Sequence, residues 1–300
     1  MSFLPISPAG RRYGRFPDNP FQPAKKLLAL RFDPSIILPA KAATSQFMGP
    51  IRNQGNEGSC TGQMKAEVRD LLYRAQYQWE ANKSVSPADF ESSAEFSYLA
   101  NLIYDGDLGT DAGSTIHASF ITLNSQGVCL DSQMPYSDSQ YSKAPTSAEY
   151  ADALVYKPGA YHSLPDLPTM KACIASGYSF GFGINVYSSF EGTWPESGFM
   201  PMPDLNNEQL LGGHAQHGMD YNDTIQFPDG NVGGIFVQNS WGTPDIWPQG
   251  ISAAGRTDGG CYWMPYAYFT GSDPSNGPYV SDCWMIHLNG PWKANALPTN

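Results

Sequence analysis

Apolar positions recur at helical spacing over one stretch in the first half of the chain. Met64, Val68, Leu71, Leu72, Ala75 and Trp79 follow one another at mostly three- and four-residue intervals. The spacing predicts a helix that starts on Cys60 and runs to about Trp79, with one apolar stripe suited to a buried central helix. Residues 92–104 and 114–126 read as two further helices, with the turn Asp105-Gly106-Asp107 between them and Gly127 as a stop after the second. Beyond residue 150 the pattern changes to short β runs at 179–186, 214–221, 233–239, 260–264 and 282–288, separated by Gly, Pro and Asp. Asp229-Gly230 lies between two of these runs and reads as a hairpin tip. Regular βα alternation is absent. The expected fold class is therefore α+β, with a helical lobe over about 46–150 and a β-rich lobe over about 151–300, in place of a doubly wound sheet. Residues 1–45 are polar and proline-rich, and read as an extended N-terminal arm that wraps a surface or is removed.

Composition narrows the functional classes. The 300 residues carry a formal net charge of −11, and the basic clusters are confined to Arg11-Arg12 and Lys25-Lys26, so no nucleic-acid partner is expected. Thirty glycines and 25 prolines favour turns and long loops over a helical bundle. No apolar run approaches the roughly 20 residues that a membrane span needs. The start, Met-Ser-Phe-Leu-Pro-Ile-Ser-Pro, is broken by prolines and does not read as a signal peptide, so a cytoplasmic or virion-associated location is expected over classical secretion. Five cysteines, Cys60, Cys129, Cys173, Cys261 and Cys283, leave at least one free thiol, for which Cys60 is the candidate. Buried reduced cysteines are the expectation for the others, with Cys261 and Cys283 the first pair to consider for a bridge.

Candidate chemistry concentrates where the first helix begins. Gln54 to Thr61 reads Gln-Gly-Asn-Glu-Gly-Ser-Cys-Thr, which sets a thiol at a helix N-terminus with a glutamine six residues upstream. Unpaired N–H groups at a helix start stabilise an anion, so a lowered thiol pKa is expected at Cys60. The Gln54 amide is suited to donate to an oxygen that turns negative during acyl transfer. A thiolate needs an imidazole partner, and that partner needs an orienting group. Of five histidines, His214 follows Gly212-Gly213 at the mouth of a β run. Asn239 ends the next strong strand in Gln-Asn-Ser-Trp-Gly, where its amide oxygen can accept the proton of the far ring nitrogen and Trp241 can shield that bond. A neutral amide orients the ring without burying a second charge.

These residues resemble a known family. Gln54-Gly55 with Gly58-Ser59-Cys60, then Gly213-His214-Ala215, then Asn239-Ser240-Trp241-Gly242, stand in the order seen in papain-like cysteine peptidases. Gly127-Val128-Cys129 leading to Pro135-Tyr136, the stretch Leu164 to Phe190, and Gly260 to Tyr266 are similar to the branch found in bacteria and large viruses. The resemblance implies a helical left lobe and a β-barrel-like right lobe with the active site in the cleft between them. It implies a Cys60–His214 thiolate–imidazolium pair, Asn239 orienting the ring, and Gln54 in the oxyanion hole with the Cys60 N–H. Gly212, Gly213 and Trp241 would line the substrate site. The substrate would be a peptide or protein, with no metal or organic cofactor. Two departures stand out. Glu57 occupies a position where the family usually has a bridged cysteine, and Thr61 one where it usually has tryptophan. The separation of 25 positions from His214 to Asn239 exceeds the family spacing, which the hairpin around Asp229-Gly230 would explain. A second insertion, roughly Pro244 to Asp258, would shape the cleft.

Other readings of the same residues carry less. His214 and His217 are three apart, which on a strand points them to opposite faces and argues against a shared metal; His217 is expected behind the strand. Asp105, Asp107 and Asp111 miss the EF-hand spacing and read as a solvated turn. Gly58-Ser-Cys-Thr-Gly62 fits the nucleophile elbow of α/β hydrolases, but no buried apolar strand precedes it. A function of another class, a peptidase-fold structural or binding subunit of a larger assembly such as a virion, held through residues 1–45, is the alternative to a thiol endopeptidase.

Overall fold

A computed structural model describes residues 12–18, 29, 33, 35–81, 90–192, 194, 198–243 and 259–287, with the side chains of 77–81 left aside. Trp79 and the expected insertion at 244–258 therefore lie outside the described side chains. The chain folds as two lobes of α+β type.

The first lobe is built on α1 (Cys60–Ala81), a helix buried on nearly every described side. α2 (Ala94–Asp105) and α3 (Ile116–Gln126) pack against it, close to the predicted ranges. Their ends follow from local chemistry. The Ser93 hydroxyl accepts from Phe96 N–H and Thr115 Oγ1 from Ala118 N–H, which satisfies first-turn donors. Gly106 closes α2 in a left-handed conformation. Because α1 is surrounded, its polar positions need internal partners. Asp70 holds Arg52 at 2.8 Å and accepts from the Ser92 N–H and hydroxyl, and Lys65 Nζ donates to Asn101 Oδ1 and Thr122 Oγ1.

The second lobe is an antiparallel sheet. Its strands are β4 (Ala160–Ser163), β5 (Phe180–Tyr187), β6 (Leu210–Gln226), β7 (Val232–Gln238), β8 (Cys261–Pro265) and β9 (Val280–His287), in the order β4-β9-β5-β6-β7-β8. Every predicted β run is present, and β6 is far longer than predicted. It continues past residue 221 into a hairpin whose tip holds Gly230 at φ 88°, and register shifts against β7 between Gly218 and Asp220 and between Asn222 and Gln226 bend it. Elements that were not expected include α4 (Ser147–Val155), α5 (Leu167–Ala175) and β4. β2 (Lys41–Ala43) pairs with the β6 extension, so the end of the N-terminal arm is woven into the sheet. A buried aromatic cluster, including Phe182, Trp194, Tyr262 and Tyr268, fills the sheet lobe. A second core joins Cys60, Met64, Phe96 and Phe120 of the helical lobe to Ala215 and Trp284 of the sheet.

All five cysteines are free and buried, so Cys261 and Cys283 form no bridge. Among the described residues, no helix is long and apolar enough to cross a membrane.

Candidate active site

Backbone pairing between the two lobes brings the sequence-distant candidates together. Asn53 forms an antiparallel bridge with Trp241. The Gln54 N–H donates to Ser240 O at 2.9 Å, and the Gly242 N–H donates to Arg52 O at 2.8 Å. The loop before the first helix is thus zipped to the loop after β7. The buried Asp70–Arg52 pair braces the first of these loops from behind.

Within that frame His214 sits on β6 and Asn239 just past β7. His214 Nε2 lies 2.7 Å from Asn239 Oδ1, and the same oxygen accepts the Ser240 N–H at 2.9 Å. The Trp241 ring lies 4.6 Å from the imidazole, centroid to centroid, and both residues are buried. Cys60 is the first residue of α1, and the N–H of Ala215, the residue after His214, is directed at its thiol. Gln54 is buried, with its Oε1 accepting from Ser240 Oγ at 2.8 Å and one Nε2 hydrogen donated to Glu57 O at 2.9 Å. The structure therefore gathers Cys60, His214, Asn239, Gln54 and Trp241 at the junction of the lobes.

The N-terminal arm runs through this junction. β1 (Arg15–Phe16) pairs in parallel with β3 (Ser114–Thr115) of the helical lobe, and the Ser114 N–H donates to Gly14 O at 2.7 Å. On the sheet side, a side chain at Gly212 would meet Tyr13, and one at Gly213 would meet Arg15 O at 2.4 Å. These two glycines thus lie directly under the arm. Gly14 crosses so near the nucleophile loop that a Cβ there would stand 1.7 Å from Gly58 O. Its N–H is directed at the Cys60 thiol. The arm thus turns an N–H towards the sulfur, while the Gly14 carbonyl oxygen is engaged by Ser114.

Among the described residues, two ion pairs tether the arm. Arg12 reaches Asp111 at 3.0 Å with its side chain about a third exposed, a pair worth at most about 1 kcal/mol. Arg15 is buried against Ser281 and Asp282, so displacing it leaves charge behind in a dry site, a loss on the order of 3–5 kcal/mol. The second pair dominates. Asp111 also accepts the Gly58 N–H at 2.9 Å and the Tyr98 hydroxyl at 2.7 Å. It is a buried link between arm and nucleophile loop, where the sequence pattern read as a solvated turn.

The surroundings change the thiol in the opposite direction to that expected. Burial pushes the Cys60 pKa up to about 11, against the N–H groups of Ala215, Gly14 and Thr61 and the charge of Arg15, which lower it. The helix start does supply an anion-stabilising N–H, at Thr61, but desolvation under the arm outweighs it.

No protein-family model matches the chain, whereas relatives and solved structures do. It is 26% identical over 244 residues to an uncharacterised peptidase C1-like protein of Acanthamoeba polyphaga mimivirus, covering 78% of this chain and 68% of that protein. Its fold is similar to xylellain, a cysteine protease from Xylella fastidiosa, with a TM-score of 0.74 and 26% identity over 97% of this chain and 99% of the other. A procathepsin B from Trypanosoma congolense gives a TM-score of 0.63 at 16% identity, covering 94% of this chain and 88% of its own, which speaks for the fold alone. In sequence and in fold the chain is thus similar to papain-like cysteine peptidases.

Where the chain departs from the pattern of that family, hydrogen bonds accommodate the change. Glu57 is buried, with Oε2 2.9 Å from the Tyr136 hydroxyl and Oε1 accepting the Ser139 N–H at 3.2 Å, which ties the nucleophile loop to the loop at 136–139 without a bridge. Burial pushes its carboxyl up to about 8. Thr61 is buried and receives Asn101 Nδ2 at 3.4 Å. His217 points away from His214, with Nδ1 3.0 Å from Gln238 Oε1, and burial lowers its pKa to about 4. The residues that sequence reasoning missed are Tyr13, Gly14, Arg15, Asp111 and Asp282. One signal for the arm was present: a lone glycine between bulky neighbours and flanked by arginines, the pattern of a segment threaded through a narrow passage.

Proposed function

We propose that the protein is a papain-like cysteine endopeptidase, with residues 12–18 of the N-terminal arm holding it latent. The observation that carries the reading is the 2.7 Å contact of His214 Nε2 with Asn239 Oδ1, made by a histidine whose next residue directs its N–H at the Cys60 thiol. Once the arm leaves, Cys60 attacks the substrate carbonyl carbon. The Cys60 N–H and the second hydrogen of Gln54 Nε2 steady the oxyanion. His214 protonates the leaving amine and the C–N bond breaks, which leaves a Cys60 thioester. The same ring then takes a proton from water as the hydroxide forms the acid and releases the thiolate. Asn239 keeps the ring in one tautomer, and Trp241 keeps water from that hydrogen bond.

A second reading is favoured by one observation, the burial of Cys60 beneath the arm: a peptidase-fold subunit of a larger assembly with no turnover. Labelling separates the two. The full chain and a form with the arm removed by limited proteolysis are treated with an epoxide probe, and labelled sites are mapped. Selective labelling of Cys60 in the opened form, together with peptide hydrolysis that Cys60→Ala abolishes, is the expected result. A Cys60 no more reactive than the other four thiols after opening would sink the enzymatic reading.

A further inference from the structure

We propose that Asp282 forms the floor of a substrate pocket that selects a basic side chain, arginine foremost; the inference rests on the peptidase reading and names its substrate class. The pocket is seen filled. Arg15 of the arm lies one residue along from Gly14, which crosses Cys60, and its guanidinium donates to Ser281 Oγ and Asp282 Oδ2 while almost wholly buried. Ser281 Oγ in turn lies 3.0 Å from Asp282 Oδ2, and the Asp18 N–H reaches the same carboxylate oxygen at 3.0 Å.

Three features indicate a built pocket. Gly183 of β5 forms one wall, and a Cβ there would stand 2.2 Å from Arg15 Nε, so the absence of a side chain makes the room the guanidinium occupies. Asp282 has φ 58°, a left-handed conformation that costs a non-glycine residue energy and is retained where surrounding structure demands it. The pairing of β9 with β5 shifts register between Ser281 and Trp284, so the strand is bulged at the residue that aims its carboxylate inward. The arm supplies the cation in the latent form. When the arm withdraws, the carboxylate loses the guanidinium and the Asp18 amide together, and an incoming arginine replaces both charge and hydrogen bonds. A neutral side chain of equal length replaces neither.

The test is a positional-scanning library of fluorogenic peptides assayed on the opened enzyme, so that the responsible position is read from the data. At one position arginine is expected to exceed norleucine by at least about 100-fold in kcat/KM, with lysine between them. Asp282→Asn should erase that preference, chiefly through KM, and leave the other positions as they were. Asparagine tolerates the left-handed backbone, so this variant keeps the fold. Gly183→Ala should weaken arginine selection by filling the wall. Absence of a basic preference at every position, or its survival in Asp282→Asn, overturns the pocket. If no peptide is hydrolysed at all, the peptidase reading fails first, and the pocket is judged by binding. The Cys60→Ala, Arg15→Ala protein, whose arm can no longer fill the pocket, is titrated with the tetrapeptide Tyr-Gly-Arg-Phe. Saturable binding that Asp282→Asn or norleucine in the peptide reduces at least tenfold supports it; equal binding, or none, overturns it.

Discussion

His214 Nε2 and Asn239 Oδ1 lie 2.7 Å apart on neighbouring segments of one sheet, beneath the Trp241 ring. The contact is buried, so the asparagine is the group that decides which imidazole nitrogen carries the proton. Asn239→Ala is expected to lower kcat by about 10²-fold with little change in KM, because ring orientation is lost while the substrate site stays intact. Steady-state kinetics with circular dichroism on the same samples checks this. A loss confined to KM would count against the assignment.

Gln54 has a different dependence. Its Oε1 is fixed by Ser240 Oγ and one Nε2 hydrogen by Glu57 O, which leaves the other for a developing oxyanion. Gln54→Ala should cost about 10²–10³ in kcat, the range for one oxyanion donor. Ser240→Ala should cost less, since it frees the amide to rotate without removing it. Equal losses in the two variants would indicate that Gln54 only supports the loop.

The fold and the candidate site were unequally legible in the sequence. α1 and the five predicted β runs were readable because burial imposes a period on side chains, and the hairpin tip because Asp229-Gly230 suits a tight reversal. That Cys60, His214, Asn239 and Gln54 would meet was readable because the proposed chemistry demands these residue types in this order. The expected low thiol pKa was wrong for the arm-covered form because it counted the helix end and omitted desolvation by a segment more than 40 residues away in sequence. Asp111 and Asp282 were not legible for the same reason. What an acidic residue does depends on which arginine the tertiary structure sets beside it, and no local pattern encodes Arg12–Asp111 or Arg15–Asp282.

Glu57 makes stability depend on pH. Its carboxyl ordinarily titrates near 4.5, and in the folded chain burial, reinforced by Glu95, raises it to about 8. The fold thus favours the protonated form, so the contribution is fully present below pH 4.5 and is lost as pH rises through 8. Thermal unfolding is expected at progressively lower temperature across that window, with a slope of up to about 1.4 kcal/mol per pH unit from this group. Glu57→Gln mimics the protonated carboxyl towards Tyr136 and Ser139. It should match the parent at pH 5 and exceed it at pH 8.5. Parallel curves for the two proteins would show that another group carries the dependence.

The arm is expected to be released by a single methyl group. Gly14 passes Gly58 so closely that a Cβ would stand 1.7 Å from a backbone oxygen, and neither segment has room to yield, since Gly58 N–H is held by Asp111 and Gly14 O by Ser114 N–H. Gly14→Ala should therefore unseat Tyr13 to Phe16 while leaving the two lobes packed. Unseating also removes the Gly14 N–H and the Arg15 charge from the thiol, both of which lower its pKa, but desolvation is the largest influence and acts the other way. The net direction is down from about 11. Iodoacetamide should then modify Cys60 at pH 7 at least about tenfold faster than in the parent, with the midpoint of the rate–pH curve moved to lower pH. Cys129, Cys173 and Cys261 serve as internal controls, because all three are buried and none adjoins a residue that holds the arm, whereas Cys283 follows Asp282. Faster labelling of these three as well would signal general loosening of the fold; faster labelling of Cys60 without them is what a seated, displaceable arm requires.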